Sequence, residues 1–176
     1  MKEESVSVKQ GKKALFYLIV QYQTDKIEAE RTIQMGNGNR GNTMIIKNGL
    51  VFTPEGKFEK KDFYIEGEYV AKETTDNKEV EAEGCYVIPG LVDIHFHGCV
   101  RHDMCDGTEE SIQALADYEA ANGVLAICPA TMTIPEEELF QAMNAAREHK
   151  NGKGADLVGI NMEGPFVNKE KKGAQK

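Results

Sequence analysis

The stretch PGLVDIHFHG, residues 89–98, decides the fold and the chemistry that this sequence predicts. Within it, Asp93, His95 and His97 alternate strictly with apolar residues. Residues two apart in a strand share one face, so a strand over residues 87–97 places the acid and both imidazoles together. Such groups are costly to bury unless they are paired or bind a metal ion. The stretch therefore predicts a strand whose polar face meets a specific partner.

Strand and helix patterns alternate along the second half of the chain. Predicted strands cover residues 87–97, 124–133 and 155–166, and predicted helices cover residues 108–123 and 135–150. Three strands separated by two helices indicate a parallel sheet built from βαβ units. An open doubly wound sheet and the start of a (β/α)₈ barrel both fit this α/β pattern. No glycine-rich phosphate-binding motif follows a strand, which weakens the dinucleotide-binding form of the open sheet.

Capping residues set the ends of both predicted helices. Thr108 suits the N-cap of the first helix, and Asn122-Gly123 suits its end. For the second helix, Thr133 and Glu136 have the spacing of a capping box, with Pro135 in the first turn. A full barrel needs eight strands and about 250 residues, so these elements predict about three βα units, the first part of one.

The residues before the opening motif predict a different kind of structure. Residues 44–88 contain short strand patterns with turn signals at Asn48-Gly49 and Glu66-Gly67, which indicate a small β-sheet or part of a sandwich. Residues 1–43 end in MGNGNRGNT, which is typical of a flexible connector, and we assign them no role. The predicted organisation is a leader over 1–43, a small β-domain segment over 44–88 and a barrel segment over 89–176.

Composition limits the partners and the compartment. The 176 residues carry a formal net charge of −8, which argues against nucleic acid or an anionic membrane as the main partner. The apolar run ALFYLIV, residues 14–20, is too short to span a bilayer. The four cysteines lack CxxC spacing, so we expect reduced thiols and a cytoplasmic protein.

Two strand ends carry the candidate metal ligands. His95 and His97 precede Gly98 at the carboxyl end of the first predicted strand, which is where barrel active sites lie. Two histidines with ordinary hydrogen bonds are the alternative, but their spacing favours joint metal ligation. Glu163 ends the third predicted strand beside Gly164-Pro165, and by itself it could be a surface carboxylate. Together the three side chains suit a divalent ion such as Zn²⁺, Fe²⁺ or Mn²⁺.

Several motifs resemble one family of hydrolases. PGLVDIHFHG is similar to the first-strand motif of the amidohydrolase superfamily, metal-dependent hydrolases with a (β/α)₈ barrel and a small flanking β-domain. The segments GCVRHDMCDGT (98–108), ICPATMT (127–133) and GINMEGPFVNKEKKGAQ (159–175) resemble the N-acetylglucosamine-6-phosphate deacetylase family. The resemblance extends from Met44 to Lys176.

The resemblance implies roles for particular residues. His95 and His97 match paired first-strand ligands of deacetylases that hold two metals, and some relatives use one; Glu163 matches the carboxylate ligand. The main chain at Gly173 and Ala174 matches a segment that lies against the sugar. In the family, a divalent ion activates water to cleave a linear amide bond, releasing acetate from an amino-sugar phosphate.

The resemblance also implies parts that this chain lacks. Two later histidines and the aspartate that acts as general acid/base belong beyond residue 176, so we expect no catalytic acid/base within the chain and no activity alone. His102 and His149 do not replace them, and Arg101 stands where relatives often have a small residue. Family members imply a homodimer. The alternatives are a dihydroorotase- or hydantoinase-like cyclic amidohydrolase, disfavoured by Glu163 where those enzymes usually use a carboxylated lysine, and a non-catalytic fragment.

Overall fold

A computed structural model describes residues 17–21, 43–66, 69–74, 78–173 and 175, with residues 17–21 described by their backbone. Most of the predicted leader lies outside the described residues, as does Ala174. The prediction that residues 1–43 form a flexible leader without an assigned role therefore stays a prediction. Within this segment, residues 17–21 form a strand.

The first part of the chain forms a six-stranded sheet in the order β1-β6-β2-β3-β4, with β5 also paired to β2. The strands are β1 (Tyr17–Gln21), β2 (Met44–Phe52), β3 (Phe58–Glu66), β4 (Tyr69–Ala71), β5 (Glu79–Glu81) and β6 (Cys85–Pro89). β3 and β4 are antiparallel, with Glu66 opposite Tyr69, and the predicted turn residue Gly67 lies outside the described residues. In contrast, β2 pairs in parallel with both β5 and β6.

The turn predicted at Asn48-Gly49 is wrong. β2 continues through it, and its register against β3 shifts between Ile46 and Gly49. Asn48 has a φ of 61°, a left-handed conformation that asparagine tolerates better than most residues. Its backbone N–H donates to Asp62 (3.1 Å), and its side-chain amide donates to Glu81 (3.0 and 3.2 Å). These contacts hold a β-bulge rather than a chain reversal.

Buried apolar side chains of this sheet pack together in a core. In β2, residues Met44 and Ile46 are buried and alternate with half-buried neighbours, as the two-residue period of a strand requires. The buried cluster consists of Ile46, Val51, Phe63, Ala82, Cys85 and Val87. The six-stranded sheet therefore has an apolar core of its own.

The second part of the chain contains the predicted βαβ units. Its elements are β7 (Leu91–Asp93), β8 (Gly98–Cys99), β9 (His102–Asp103), α1 (Glu109–Ala121), β10 (Val124–Ile127), α2 (Glu136–Glu148) and β11 (Asp156–Leu157). The sheet order is β11-β10-β7, and both pairings are parallel. The mixed α/β prediction is confirmed. Among the described residues, neither helix combines the length and the hydrophobicity needed to cross a bilayer.

The strands of this part are shorter than predicted. The predicted strand 87–97 divides at Gly90: β6 ends at Pro89 in the first sheet, and β7 belongs to the second. His95 and His97 lie in the extended segment after β7. The predicted third strand is reduced to β11 and an isolated parallel bridge between Ala130 and Asn161.

The two helices begin differently. Thr108 Oγ1 accepts a hydrogen bond from Ser111 N–H (3.1 Å), as predicted, and Asn122 caps the carboxyl end of α1. The capping box predicted at Thr133 is wrong. Pro135 is the N-cap residue of α2, with an extended ψ of 148° and no side-chain cap bond. The helix therefore begins at Glu136, which leaves Thr133 too far back to reach its first turn.

The core of the second part lies between the helices and the parallel sheet. Buried side chains there form two clusters: Leu115, Ala116, Ala120, Ile127 and Ala155, and Met104, Ile112 and Ala142. The aliphatic side of the opening motif is buried only in part. Phe96 packs against the first cluster, whereas Val92 and Ile94 are 47% and 67% exposed.

Candidate metal centre

Three side chains from two strand ends converge at one point. Glu163 Oε2 lies 3.4 Å from His95 Nε2 and 3.2 Å from His97 Nε2. One ligand atom from each of the three residues lies within 4.8 Å of the other two. The two imidazole rings meet edge to face, with centroids 5.2 Å apart and planes at 85°. The structure thus brings together the three residues that the sequence predicted as metal ligands.

Hydrogen bonds from the neighbouring backbone hold the histidine segment in place beyond β7. Cys128 N–H donates to the Asp93 carbonyl (2.8 Å), and Ala130 N–H donates to the Phe96 carbonyl (2.7 Å). These bonds continue the pairing with the residues after β10. Because Phe96 turns into the core, the histidines on either side of it turn to the opposite side.

Glu163 is held by the segment that follows β10, the middle strand of the parallel sheet. Its N–H donates to the hydroxyl of Thr131 (3.2 Å), which is fully buried. Two residues earlier, Asn161 N–H donates to the Pro129 carbonyl (2.9 Å), and the Asn161 carbonyl accepts from Thr131 N–H (3.0 Å). Residues 161–163 therefore stay beside residues 129–131, although strand β11 has already ended.

Asn161 was not predicted to have a role. Its Nδ2 lies 3.0 Å from the Ile94 carbonyl oxygen and 3.0 Å from His95 Nδ1. The sequence signal was its position two residues before Glu163, which places both side chains on one face. What its amide contacts depends on the neighbouring segment in space, which local sequence does not reveal.

Asp93 supports the first histidine without joining the ligand group. Its Oδ1 accepts the backbone N–H of His95 (2.9 Å). Asp93 also acts at a distance: burial chiefly, and the Asp93 charge in addition, raise the pKa of Glu119 above its ordinary value.

The donor set fits a divalent ion. Imidazole nitrogens and a carboxylate oxygen are ligands that Zn²⁺, Fe²⁺ and Mn²⁺ share. The three side chains are between a third and a half exposed, so solvent reaches the site. His97 Nδ1 is buried and has no hydrogen-bond partner among the described residues.

Three of the four thiols are poorly suited to act as nucleophiles. The four cysteines are free. Burial is the main cause that raises the pKa of Cys85, Cys99 and Cys105 above the ordinary thiol value. A raised pKa leaves less of the reactive thiolate at neutral pH.

The other two histidines have partners outside this group. His102 Nδ1 lies 3.1 Å from Ser111 Oγ. His149 caps the carboxyl end of α2, and its buried ring contacts both carboxylate oxygens of Glu109 (3.0 and 3.1 Å). Among the described residues, neither histidine joins the candidate ligand group.

The predicted sugar-facing segment is described only in part. Gly173 is exposed and has a φ of +61°, and its proposed contact with a sugar stays a prediction, as does that of Ala174. Sequence reasoning overlooked Gln175 beside them. It is 6% exposed, and its Oε1 accepts Thr133 N–H (2.6 Å), so it ties this segment to the loop after β10.

Fold and site together define a mixed α/β protein with candidate metal ligands gathered at the ends of parallel strands. No family model matches the chain. Solved structures share the fold. An N-acetylglucosamine-6-phosphate deacetylase from Pasteurella multocida matches 76% of this chain and 37% of its own, with a TM-score of 0.67 and 19% identity. A deacetylase from Mycobacterium smegmatis, solved in complex with N-acetyl-D-glucosamine-6-phosphate, matches 77% and 36%, with a TM-score of 0.63 and 22% identity.

Curated relatives define the similarity more closely. N-acetylglucosamine-6-phosphate deacetylase of Bacillus subtilis is 31% identical over 74% of this chain and 33% of its own length. The enzyme of the same name from Lysinibacillus sphaericus is 26% identical over 76% and 36%. N-acetylgalactosamine-6-phosphate deacetylase of Escherichia coli O157:H7 is 28% identical over 75% and 36%. The chain spans about a third of the length of these relatives, and the resemblance to the N-terminal portion of N-acetylglucosamine-6-phosphate deacetylases is confirmed.

Proposed function

We propose that this chain is the first part of a metal-dependent deacetylase that hydrolyses the acetamide of N-acetylglucosamine 6-phosphate to glucosamine 6-phosphate and acetate. One observation carries the proposal. In a chain similar to such deacetylases, His95, His97 and Glu163 each place a ligand atom within 4.8 Å of the others.

The proposed ligands to a divalent ion are both imidazoles and the Glu163 carboxylate. Zn²⁺, Fe²⁺ and Mn²⁺ all suit this donor set, and one or two ions fit the resemblance. A bound ion of this kind lowers the pKa of water and polarises a carbonyl. The chain itself supplies the means of holding the ligands: Thr131 fixes the backbone of Glu163, and Asp93 fixes the backbone of His95.

The remaining parts of the reaction follow from the resemblance. We assign the main chain of Gly173 and Ala174 to contact with the sugar. We assign the general acid/base aspartate and two further histidine ligands to later strands of the family's barrel. Residues 44–88 then form part of the flanking β-domain, and residues 89–176 form the first βα units of a cytoplasmic, homodimeric enzyme.

Exposed apolar side chains at both edges of the parallel sheet support the barrel. Val92 and Ile94 belong to the segment at one edge, and Val158 follows β11 at the other. Val158 is 63% exposed. In a barrel both edges pair with further strands, and helices cover such side chains.

Ion binding is the first test. We expect the purified 176-residue chain to bind Zn²⁺ or Mn²⁺, measured by calorimetry after removal of metal with a chelator. Glu163→Gln and His97→Asn should each weaken binding, while Glu83→Gln, at an exposed residue bound to Lys60 in the first sheet, should not. A chain that binds no divalent ion would favour the non-catalytic alternative.

Substrate class is tested by restoring the later strands. The chain is mixed with the remaining two thirds of the Bacillus subtilis relative, and release of acetate from N-acetylglucosamine 6-phosphate is followed with and without ion. N-acetylgalactosamine 6-phosphate and dihydroorotate serve as competing substrates. We expect acetate only from the complemented, ion-loaded mixture. Ring opening of dihydroorotate without acetate release would favour the cyclic amidohydrolase, and turnover by the chain alone would contradict the assignment of catalytic groups to later strands.

A further inference from the structure

We propose that Asn161 is a positioning residue of the candidate metal centre, whose side-chain amide orients the His95 imidazole. The inference rests on the proposed metal site.

The amide of Asn161 occupies a fixed place between the two segments. Its backbone N–H donates to the Pro129 carbonyl, and its carbonyl accepts from Thr131 N–H, so its backbone is fixed to the segment that follows β10. Its Nδ2 reaches across to the first segment, 3.0 Å from the Ile94 carbonyl oxygen and 3.0 Å from His95 Nδ1. Because Glu163 follows two residues later, one short stretch holds both a candidate ligand and a contact to another candidate ligand.

The two imidazoles differ in how they are held. His95 Nδ1 faces the Asn161 amide, whereas His97 Nδ1 is buried without a hydrogen-bond partner among the described residues. The His97 ring lies edge to face against the His95 ring. Orienting His95 therefore also limits where the His97 ring can turn.

The contact to Nδ1 matters because a histidine ligand binds a metal through one ring nitrogen while the other is held by an outer partner. With Nδ1 at Asn161, Nε2 of His95 points to Glu163 Oε2 at 3.4 Å. If the side-chain amide of Asn161 turns by half a turn, its oxygen takes the place of Nδ2. The oxygen then accepts a hydrogen bond from Nδ1–H of His95, and the bond to the Ile94 carbonyl is lost. In that arrangement the Nε2 lone pair is free for an ion.

The test compares Asn161→Ala and Asn161→Asp with wild type and with Asn151→Ala. Asn151 is a matched control, because its side-chain amide also bonds a strand backbone, at Leu157 N–H (2.8 Å) and carbonyl (3.1 Å), but lies outside the ligand group. Three readouts are taken on the full chain: the Zn²⁺ dissociation constant by chelator competition, the visible spectrum with Co²⁺, and thermal unfolding in excess chelator.

Asn161→Ala should weaken Zn²⁺ binding about 10- to 100-fold and alter the Co²⁺ spectrum. Asn161→Asp should recover most of the affinity, since a carboxylate accepts from Nδ1–H although it cannot donate to Ile94. Asn151→Ala should leave the affinity unchanged, whatever it does to unfolding.

The failures are distinguishable. If wild type binds no Zn²⁺, the proposed metal centre fails and this inference falls with it. If wild type binds and Asn161→Ala binds equally well, the metal centre stands and the positioning role is wrong. If Asn161→Ala and Asn161→Asp are equally weak and both unfold earlier in chelator, the residue acts only as a structural tie to Ile94, and the inference is overturned.

Discussion

Side chains alternate with a two-residue period both in the six-stranded sheet and in the segment that continues β7 of the parallel sheet, but the alternation has a different result in each. In β2 the alternation buries Met44 and Ile46 and so builds a core. In residues 93–97 the alternation turns imidazoles toward Glu163, while Ile94 remains 67% exposed. A period of two therefore indicates which side chains share a face, but not whether that face is a core or a site. The residue types on the face decide between the two.

The largest expected effect separates the two regions with the same substitution. Ile46→Ala should lower the free energy of unfolding by about 2–5 kcal/mol, because Ile46 is fully buried and its removal leaves a cavity. Ile94→Ala should change it by less than about 0.5 kcal/mol, because that side chain is mostly in solvent. Urea unfolding measures both. Equal losses would mean that the exposed apolar edge is covered in solution.

A smaller effect distinguishes a bonded from an unbonded hydroxyl beside the candidate site. Thr131→Val should cost about 1–3 kcal/mol, because Glu163 N–H loses its acceptor. Thr133→Val should be near neutral, since its buried Oγ1 has no hydrogen-bond partner among the described residues. Chemical denaturation of the two variants checks the difference. A comparable loss in both would show that valine strains this loop whatever the hydroxyl does.

Helix capping at Thr108 should contribute less to the free energy of unfolding than the Thr131 hydroxyl does. Thr108→Ala should destabilise the chain by about 1 kcal/mol through loss of the bond from Ser111 N–H. Thr108→Ser keeps the hydroxyl and should retain most of that stability. Circular dichroism at 222 nm during thermal unfolding measures both variants, and a serine variant as unstable as the alanine one would point to the lost methyl group.

The smallest expected effect lies in the first sheet and depends on pH. A hydrogen bond from Lys47, and another from Asn48 N–H, lower the pKa of Asp62 below its ordinary value. A lowered pKa contributes stability above the pKa of the unfolded chain, about 3.9, and that stability is lost as pH falls through the folded value. Asp62→Asn should therefore be slightly less stable than wild type at pH 7 and should approach it in acid. A gap that widens in acid would contradict this assignment.

Features that depend on local residue order were predictable. The Thr108 cap and the parallel strands follow from spacing along the chain, whereas the convergence of His95, His97 and Glu163 was predicted from their places at strand ends and from the family resemblance. The Asn48 bulge was not, because an Asn-Gly pair is locally the same in a hairpin turn and in a bulge held by Asp62 and Glu81.

The strand ends and the outer contacts of the site depend on spatial neighbours. The division at Gly90 arises because residues on either side of it pair in different sheets. The contacts of Asn161 with Ile94 and His95 cross 67 and 66 residues, a distance that no sequence window covers.

That separation has a consequence for folding. To bring the two segments together, the chain must close a loop of 66 residues between Asn161 and His95, and that closure costs conformational entropy. Contacts of such long range form slowly compared with a helix turn. An ion that needs His95, His97 and Glu163 together would therefore reach its full affinity only after residues 161–163 have joined the first segment.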